Sequence, residues 1–557
     1  MKYRWSGVAL AAVMAAGMAG AQVPPTIDAA AISQDIKTLS SDDYEGRGPA
    51  TRAENKTVAF IAGRMRKAGL MPGGDLRPDG KRGWIQDVPL LRSEISGKPE
   101  IALMIGGARR MLTQGEEIAV RSPLDGGSHV ALAGAPLLFV GYGVTAPEKN
   151  WDDFKGVDLH GKVIVVLIND PDYETGVAGG SGGDFGGKAM TYYGRWTYKY
   201  EEAARRGAAG VLIVHETGPA SYGWATVKNS NANVQFDIVR DAPAAAHTPL
   251  ETWIQRDLAV DMFKASGLDF EAAKTLARTR DFRPIPLKPT LSVLLDANAQ
   301  RIVSHNVVGL LKGAKRPDET LLYSAHWDHL GIGLPDARGD RIYNGAADNA
   351  SGVAALLALG KAFTAAPRPQ RSVAFLAVTA EEKGLLGSEY YGTHPLYPLA
   401  TTVGVINMDG INLAGPARNF TISGSARLGL LDDLIAEGAK VGRTFTPEPH
   451  PEAGGFFRSD HFSMAKQGVP AISFKTGNDL IEGGTARGEI LAADYTKNRY
   501  HQPADEWRAD WNLAGAVQDL NLLFALGERL ANSREWPAWA EGSEFKTKRD
   551  ETAAARK

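Results

Sequence analysis

The chain has 557 residues, of which 62 are Lys or Arg and 64 are Asp or Glu, for a formal net charge of −2. That balance excludes a nucleic-acid binder built on a basic face, and 44% hydrophobic residues suit a soluble globular protein with a large core. There is no cysteine, which excludes disulfides, thiolate zinc sites, iron–sulfur clusters and cysteine nucleophiles.

Lys2 and Arg4 are followed by an apolar run from Gly7 to Ala16 and by the small residues Ala19-Gly20-Ala21. These are the three parts of a secretory signal peptide covering residues 1–21, with the mature chain starting at Gln22. A single membrane anchor is the alternative. The uncharged stretch is rich in Ala and Gly, a weak match to the roughly 20 strongly apolar residues of a span. The expected product is exported, periplasmic or secreted, with no stable membrane insertion after cleavage.

Residues 22–115 open with Thr51-x-x-Glu54, a capping box for a helix that carries Val58, Ile61 and Met65 and ends at Gly69. Residues 116–290 have different punctuation. Leu137–Val144, Lys162–Ile168 and Gly210–Val214 read as buried strands, Tyr198–Arg206 as a helix, and Gly176–Gly187 as a mobile glycine-rich loop. Residues 291–535 alternate regularly. Strands are expected near His305–Leu311, Thr320–Ala325, Arg371–Thr379, Thr402–Asn407 and Ala471–Phe474, and helices near Ser351–Phe363, Leu385–Thr393, Leu428–Val441 and Leu513–Asn532. Continuous apolar strands alternating with helices predict an α/β fold, a mostly parallel, doubly wound sheet flanked by helices. Residues 536–557 read as a charged, solvated tail.

Ligand sites in such sheets lie beyond the carboxyl ends of the strands, and the informative residues fall there. They are His326-Trp327-Asp328-His329, Asp348-Asn349-Ala350-Ser351-Gly352, Glu381-Glu382, Asn407-Met408-Asp409 and, before the last helix, Tyr500-His501. If the first strand continued through Asp328, its two-residue period would put His326 and Asp328 on one face, where the carboxylate can hold the ring's second N–H. Each piece alone is weak. Together, two histidines and three carboxylates without sulfur suit a pair of divalent ions such as zinc.

In that order these motifs resemble the co-catalytic di-zinc aminopeptidases of the clan that also holds glutamate carboxypeptidase and the transferrin receptor. Glu45-Gly46-Arg47-Gly48 is similar to that family's N-terminal segment, and the region around Lys162–Val214 resembles an inserted, β-rich protease-associated domain. The resemblance implies a zinc exopeptidase-like fold and an exported metallo-exopeptidase that removes N-terminal residues from peptide substrates with two Zn²⁺ per chain. His326 and Asp409 would bind one ion, Glu382 and His501 the other, and Asp348 would bridge both. Asp328 would orient His326, Glu381 would be the general base, and Tyr500 could hydrogen-bond the oxyanion. In the family, the bond equivalent to Asp348–Asn349 is typically cis. The alternatives are a carboxypeptidase or dipeptidase of the same clan and a catalytically inactive binding protein. The complete ligand set argues against the latter.

Competing signals are weaker. Gly179-Gly180-Ser181-Gly182-Gly183 fits a serine-hydrolase elbow formally but sits in the glycine-rich loop with no helix directly after it. Ser459-Asp460-His461 reads as a structural or substrate-facing loop of the same pocket, and His329 as structural. Side-chain preference and oligomeric state are not encoded legibly.

Overall fold

The computed structural model describes residues 25–175, 183–333 and 335–556. The expected signal peptide and most of the glycine-rich loop, with its Ser181 motif, lie outside the described residues.

The fold is mixed α/β, with helices flanking one 16-stranded sheet. Four central strands are parallel. Arg316–His326 pairs with both Arg371–Val378 and Thr402–Met408, and the last of these pairs with Ala471–Thr476. Every residue of Arg371–Val378 and Thr402–Met408 is buried, as expected for strands covered on both faces. The helices Ser351–Ala365, Gly429–Lys440 and Ala514–Asn532 match the expected positions within two residues. Their Val353, Leu434 and Leu526 share one apolar core with Leu321 and Phe375.

The strand expected at His305–Leu311 is far longer, running from Ile285 to Leu311. It pairs antiparallel with Ile85–Ile105 over most of its length, with His129–Phe139 at its start and with Arg371–Val378 at its end. Leu287, Leu291, Val293, Leu295 and Ala297 alternate into the core. Pro289 and the polar stretch Asp296-Ala297-Asn298-Ala299-Gln300 conceal that alternation in the sequence, and the register shifts between Leu287 and Thr290. This strand continues the sheet into a second region. There His129–Phe139, Val163–Leu167, Gly210–His215 and Leu250–Gln255 lie parallel in succession over a separate core containing Phe139, Phe263 and Leu291.

The C-terminal residues differ from the expected solvated tail. Trp539 donates its indole N–H to Gly468 O at 2.9 Å, Phe545 is buried, and Arg549 donates to Leu399 O and Thr402 O. Two aromatic anchors spaced among charges do not produce a periodic signal, so the docking escaped the sequence reading. The expected capping box is also rearranged. Thr51 stands at the N-cap without a side-chain cap bond and donates to Gly48 O. Glu54 is drawn instead into a buried cluster, accepting from Ala50 N, Ser304 Oγ and His305 Nδ1.

Candidate metal centre

The strand ending at His326 stops before Asp328. His326 Nδ1 donates to the main-chain oxygen of Asp328 at 3.1 Å, which in the neutral ring leaves the lone pair on Nε2. The Asp328 carboxylate, expected to hold that ring, lies 3.7 Å from Nδ1. Its oxygens accept the backbone N–H groups of Glu381 and Glu382 at 3.0 and 3.3 Å instead. Asp328 thus clamps the turn carrying both glutamates while its carbonyl sets the histidine.

Asp348 follows a left-handed Gly345, whose added Cβ would come within 2.3 Å of Asp348 O. The Asp348–Asn349 peptide is cis. Asn349 Oδ1 accepts from Gly352 N and Gly410 N at 2.9 Å each, and its amide donates to Met408 O. Gly352 permits that approach, since a Cβ there would lie 2.2 Å from Asn349 Oδ1. The loop carrying Asp348 is thereby tied to the strand end carrying Asp409.

Two residues assigned no role from the sequence complete the scaffold. Asp505 accepts the N–H groups of Ala347 and Asp348 at 3.1 Å. Arg47 is wholly buried and donates to Trp327 O, Leu39 O, Asn344 O and Gly345 O. One guanidinium therefore braces the loops behind His326 and Asp348. Gly46 lets it enter, with φ +66° and its Cβ position 2.5 Å from the carbonyls of Gly331 and Tyr343.

His326 Nε2 lies 3.3 Å from Asp348 Oδ1 and 3.2 Å from Asp409 Oδ1. His501 Nε2 lies 3.2 Å from Asp348 Oδ2 and 3.3 Å from Glu382 Oε2. These separations exceed the 2.7–2.9 Å of charge-assisted hydrogen bonds. They match the roughly 3.3 Å between two donors of a tetrahedral ion held at about 2.0–2.1 Å from each. His326, Asp348 and Asp409 form one group able to hold a cation, and His329, Asp348 and Glu382 a second. The donor set fits two divalent ions sharing Asp348.

His329, read from sequence as structural, sits inside this arrangement. It is fully buried, with Nδ1 2.7 Å from Glu382 Oε1 and its ring 5.6 Å from that of His501. The only sequence signal was its position three residues after His326.

Electrostatics separate the two adjacent glutamates. Burial, opposed by His326 but reinforced by Asp409, Glu382 and Asp460, raises Glu381 well above the carboxyl range. Glu382 moves the other way, because His501 and His329 outweigh burial and Asp348. Burial lowers the charge on His501, yet Glu382 and Asp348 win and bring it up to about 9. Among the described residues the Glu381 carboxylate makes no hydrogen bond or ion pair, and it faces a cleft of about 760 Å³ with Asp348, Asp409, Tyr500 and His501. Tyr500 stacks on His501 with ring centres 3.9 Å apart. Of the Ser459-Asp460-His461 trio, Ser459 lines the cleft, while Asp460 and His461 are buried behind it, the histidine edge-on to Phe456.

Residues 306–525, which include every one of these candidate ligands, match Peptidase family M28. The likeness to family M28 is confined to that segment. The chain is 36% identical over 113 residues to a probable zinc metalloprotease of Pyricularia oryzae, covering 20% of the chain and 22% of that protein. It is 36% identical over 230 residues to a probable zinc metalloprotease of Pyrenophora teres f. teres, covering 41% and 43%. The chain thus spans less than half the length of either relative. The chain also resembles the solved aminopeptidase from Aneurinibacillus sp. strain AM-1, with a TM-score of 0.50 at 19% identity over 92% of this chain and 96% of that one. At that identity the likeness concerns the fold.

Proposed function

We propose that the protein is a co-catalytic zinc exopeptidase that removes N-terminal residues from peptides. The observation that carries this reading is Asp348, whose two oxygens face two different histidines. His326, Asp409 and one Asp348 oxygen would hold one ion. Glu382, His501 and the other Asp348 oxygen would hold the second. Such a pair of ions, when bound, supplies the Lewis acidity that acidifies a water and polarises the scissile carbonyl.

The chain's own residues do the rest. Glu381 has no side-chain partner among the described residues and faces the cleft, so it takes the proton of the attacking water and returns it to the leaving amine. Burial raises its affinity for a proton, the direction that makes a carboxylate a stronger base. Glu382 stays anionic between His329 and His501. Tyr500, beside His501 on the cleft wall, offers its hydroxyl to the oxygen that gains charge.

Residues 116–290 act in this reading as an inserted domain that shapes access to the cleft. The separate core around Phe139 and Phe263 supports that role. So does the contact of Met190 and Tyr192 with the cleft-forming segment, through Met190 N–H to Pro451 O and Tyr192 against Phe457. Export rests on residues 1–21. No helix among the described residues is long and apolar enough to cross a membrane.

The test is metal analysis of the purified protein together with turnover of aminoacyl-p-nitroanilides and of N-blocked peptides. Two zinc equivalents and activity confined to free N-termini are expected. At most one equivalent after zinc reconstitution, or equal turnover of blocked peptides, would reject the reading.

A further inference from the structure

The cleft holds five basic side chains, and they are not equivalent. Three of them are already paired, Arg487 with Glu482 at 2.8 Å, Arg499 with Asp494 at 2.5 Å and Arg508 with Asp510 at 2.6 Å. Lys475 and Arg458 have no carboxylate within ion-pair distance among the described residues. The Lys475 ammonium forms no hydrogen bond there either, and the Arg458 guanidinium has only a neutral hydrogen-bond partner, the Ser221 hydroxyl at 2.8 Å.

Their placement is fixed by the fold. Lys475 lies on the strand Ala471–Thr476, which pairs with Thr402–Met408 so that Phe474 stands opposite Met408. One step further along, Lys475 and Asp409 leave neighbouring strand ends together, and the ammonium acts electrostatically on Asp409. Arg458 is held by Ser221 and by the ring of Tyr222, 5.5 Å away. Both cations act electrostatically on Glu448, which also lines the cleft and whose carboxylate accepts the Gly424 N–H. Lys475 and Arg458 thus line the cleft beside the candidate metal centre, acting electrostatically on Glu448 and, from Lys475, on Asp409, with neither held in an ion pair among the described residues. An exposed, unpaired Lys on a strand end is ordinarily solvated surface. Here it lines the cleft that also contains Glu381 and His501.

We propose that Lys475 and Arg458 form a subsite for a carboxylate of the peptide substrate, which rests on the exopeptidase reading above. The shared chemistry is a substrate carboxylate, supplied either by an acidic side chain or by the C-terminus of a short peptide. Arg458 ties this preference to the inserted region, because its partners Ser221 and Tyr222 belong to residues 116–290.

The test compares Leu-Glu, Leu-Gln and Leu-Gln-amide as substrates of the zinc-loaded protein, and their equilibrium binding to the metal-free protein, for wild type, Lys475→Gln, Lys475→Arg and Arg458→Gln. Wild type is expected to favour carboxylate-bearing peptides. A higher kcat/KM for Leu-Glu than for Leu-Gln assigns the side chain, and loss of the preference on amidation assigns the C-terminus. Lys475→Gln should lower the acid-over-amide ratio roughly 10–100-fold, the worth of a hydrogen bond between charged groups. Lys475→Arg should restore most of it, which a merely structural lysine would not require. An unchanged ratio in both Gln variants overturns the subsite while leaving the exopeptidase reading intact. If wild type hydrolyses no peptide, that reading fails, and the binding ratio still decides the subsite by the same criterion.

Discussion

His501 Nε2 and Asp348 Oδ2 lie 3.2 Å apart, although one sits in the loop before the last long helix and the other at the start of an interior one. The opposite oxygen of the same carboxylate faces His326 at 3.3 Å. Asp348 is therefore the only candidate ligand common to both cation groups. Asp348→Asn should lower bound zinc at both positions, whereas Asp409→Asn should weaken one. Metal titration by atomic absorption distinguishes these outcomes, and equal, single-ion losses in the two variants would contradict a bridging role.

His329 holds Glu382 from behind, with its Nδ1 2.7 Å from Oε1. Partners of metal-ligating groups typically contribute 10–100-fold to metal affinity. His329→Phe should therefore weaken one zinc by roughly that factor while the other ion binds normally. Competition with a chromogenic chelator measures it, and unaltered affinity for both ions would return His329 to a packing role.

Arg47 satisfies four main-chain carbonyls from a wholly buried position. Arg47→Met keeps much of the volume but leaves those acceptors unpaired, at about 1–3 kcal/mol for each one that stays dry. Stability should fall by about 3 kcal/mol or more, with zinc affinity falling alongside because the loops of His326 and Asp348 share this brace. Denaturant unfolding with and without zinc checks both effects.

The strand ends were legible in the sequence because buried parallel strands are unbroken apolar runs, so His326, Glu381, Glu382 and Asp409 announce themselves as the first polar residues after them. The glycines of Glu45-Gly46-Arg47-Gly48 and Asp348-Asn349-Ala350-Ser351-Gly352 were legible only as resemblance. Their reasons, the carbonyls of Gly331 and Tyr343 against Gly46 and the Asn349 amide against Gly352, are long-range contacts. The same holds for Asp328, whose carboxylate was expected at His326 but bonds to backbone more than fifty residues away. Local period could not reveal the 27-residue strand either, since its middle is polar on the face left open to water.

Away from the cleft, His247 lies between Asp237 and Glu251, with its nitrogens 3.0 and 2.9 Å from them. Burial opposes its charge, but the two carboxylates prevail and raise it to about 10 from an ordinary 6.5. A raised histidine contributes stability that is complete below pH 6.5 and is lost as the pH climbs through about 10. The melting temperature of the wild type should therefore fall between pH 6.5 and 10 more steeply than that of His247→Gln. Parallel profiles would show that the imidazolium does not hold these strands together.

The most direct test of the account is Glu381→Gln, with bound zinc and kcat measured on the same preparation. Among the described residues Glu381 faces the cleft without a side-chain partner, whereas Glu382 is engaged by His329 and lies 3.3 Å from His501. The substitution should keep two zinc ions and near-normal stability while lowering kcat by roughly 10²–10⁴, the usual contribution of a positioned proton carrier. Retention of near wild-type kcat, or loss of an ion, would contradict the assignment of Glu381 as base and Glu382 as ligand.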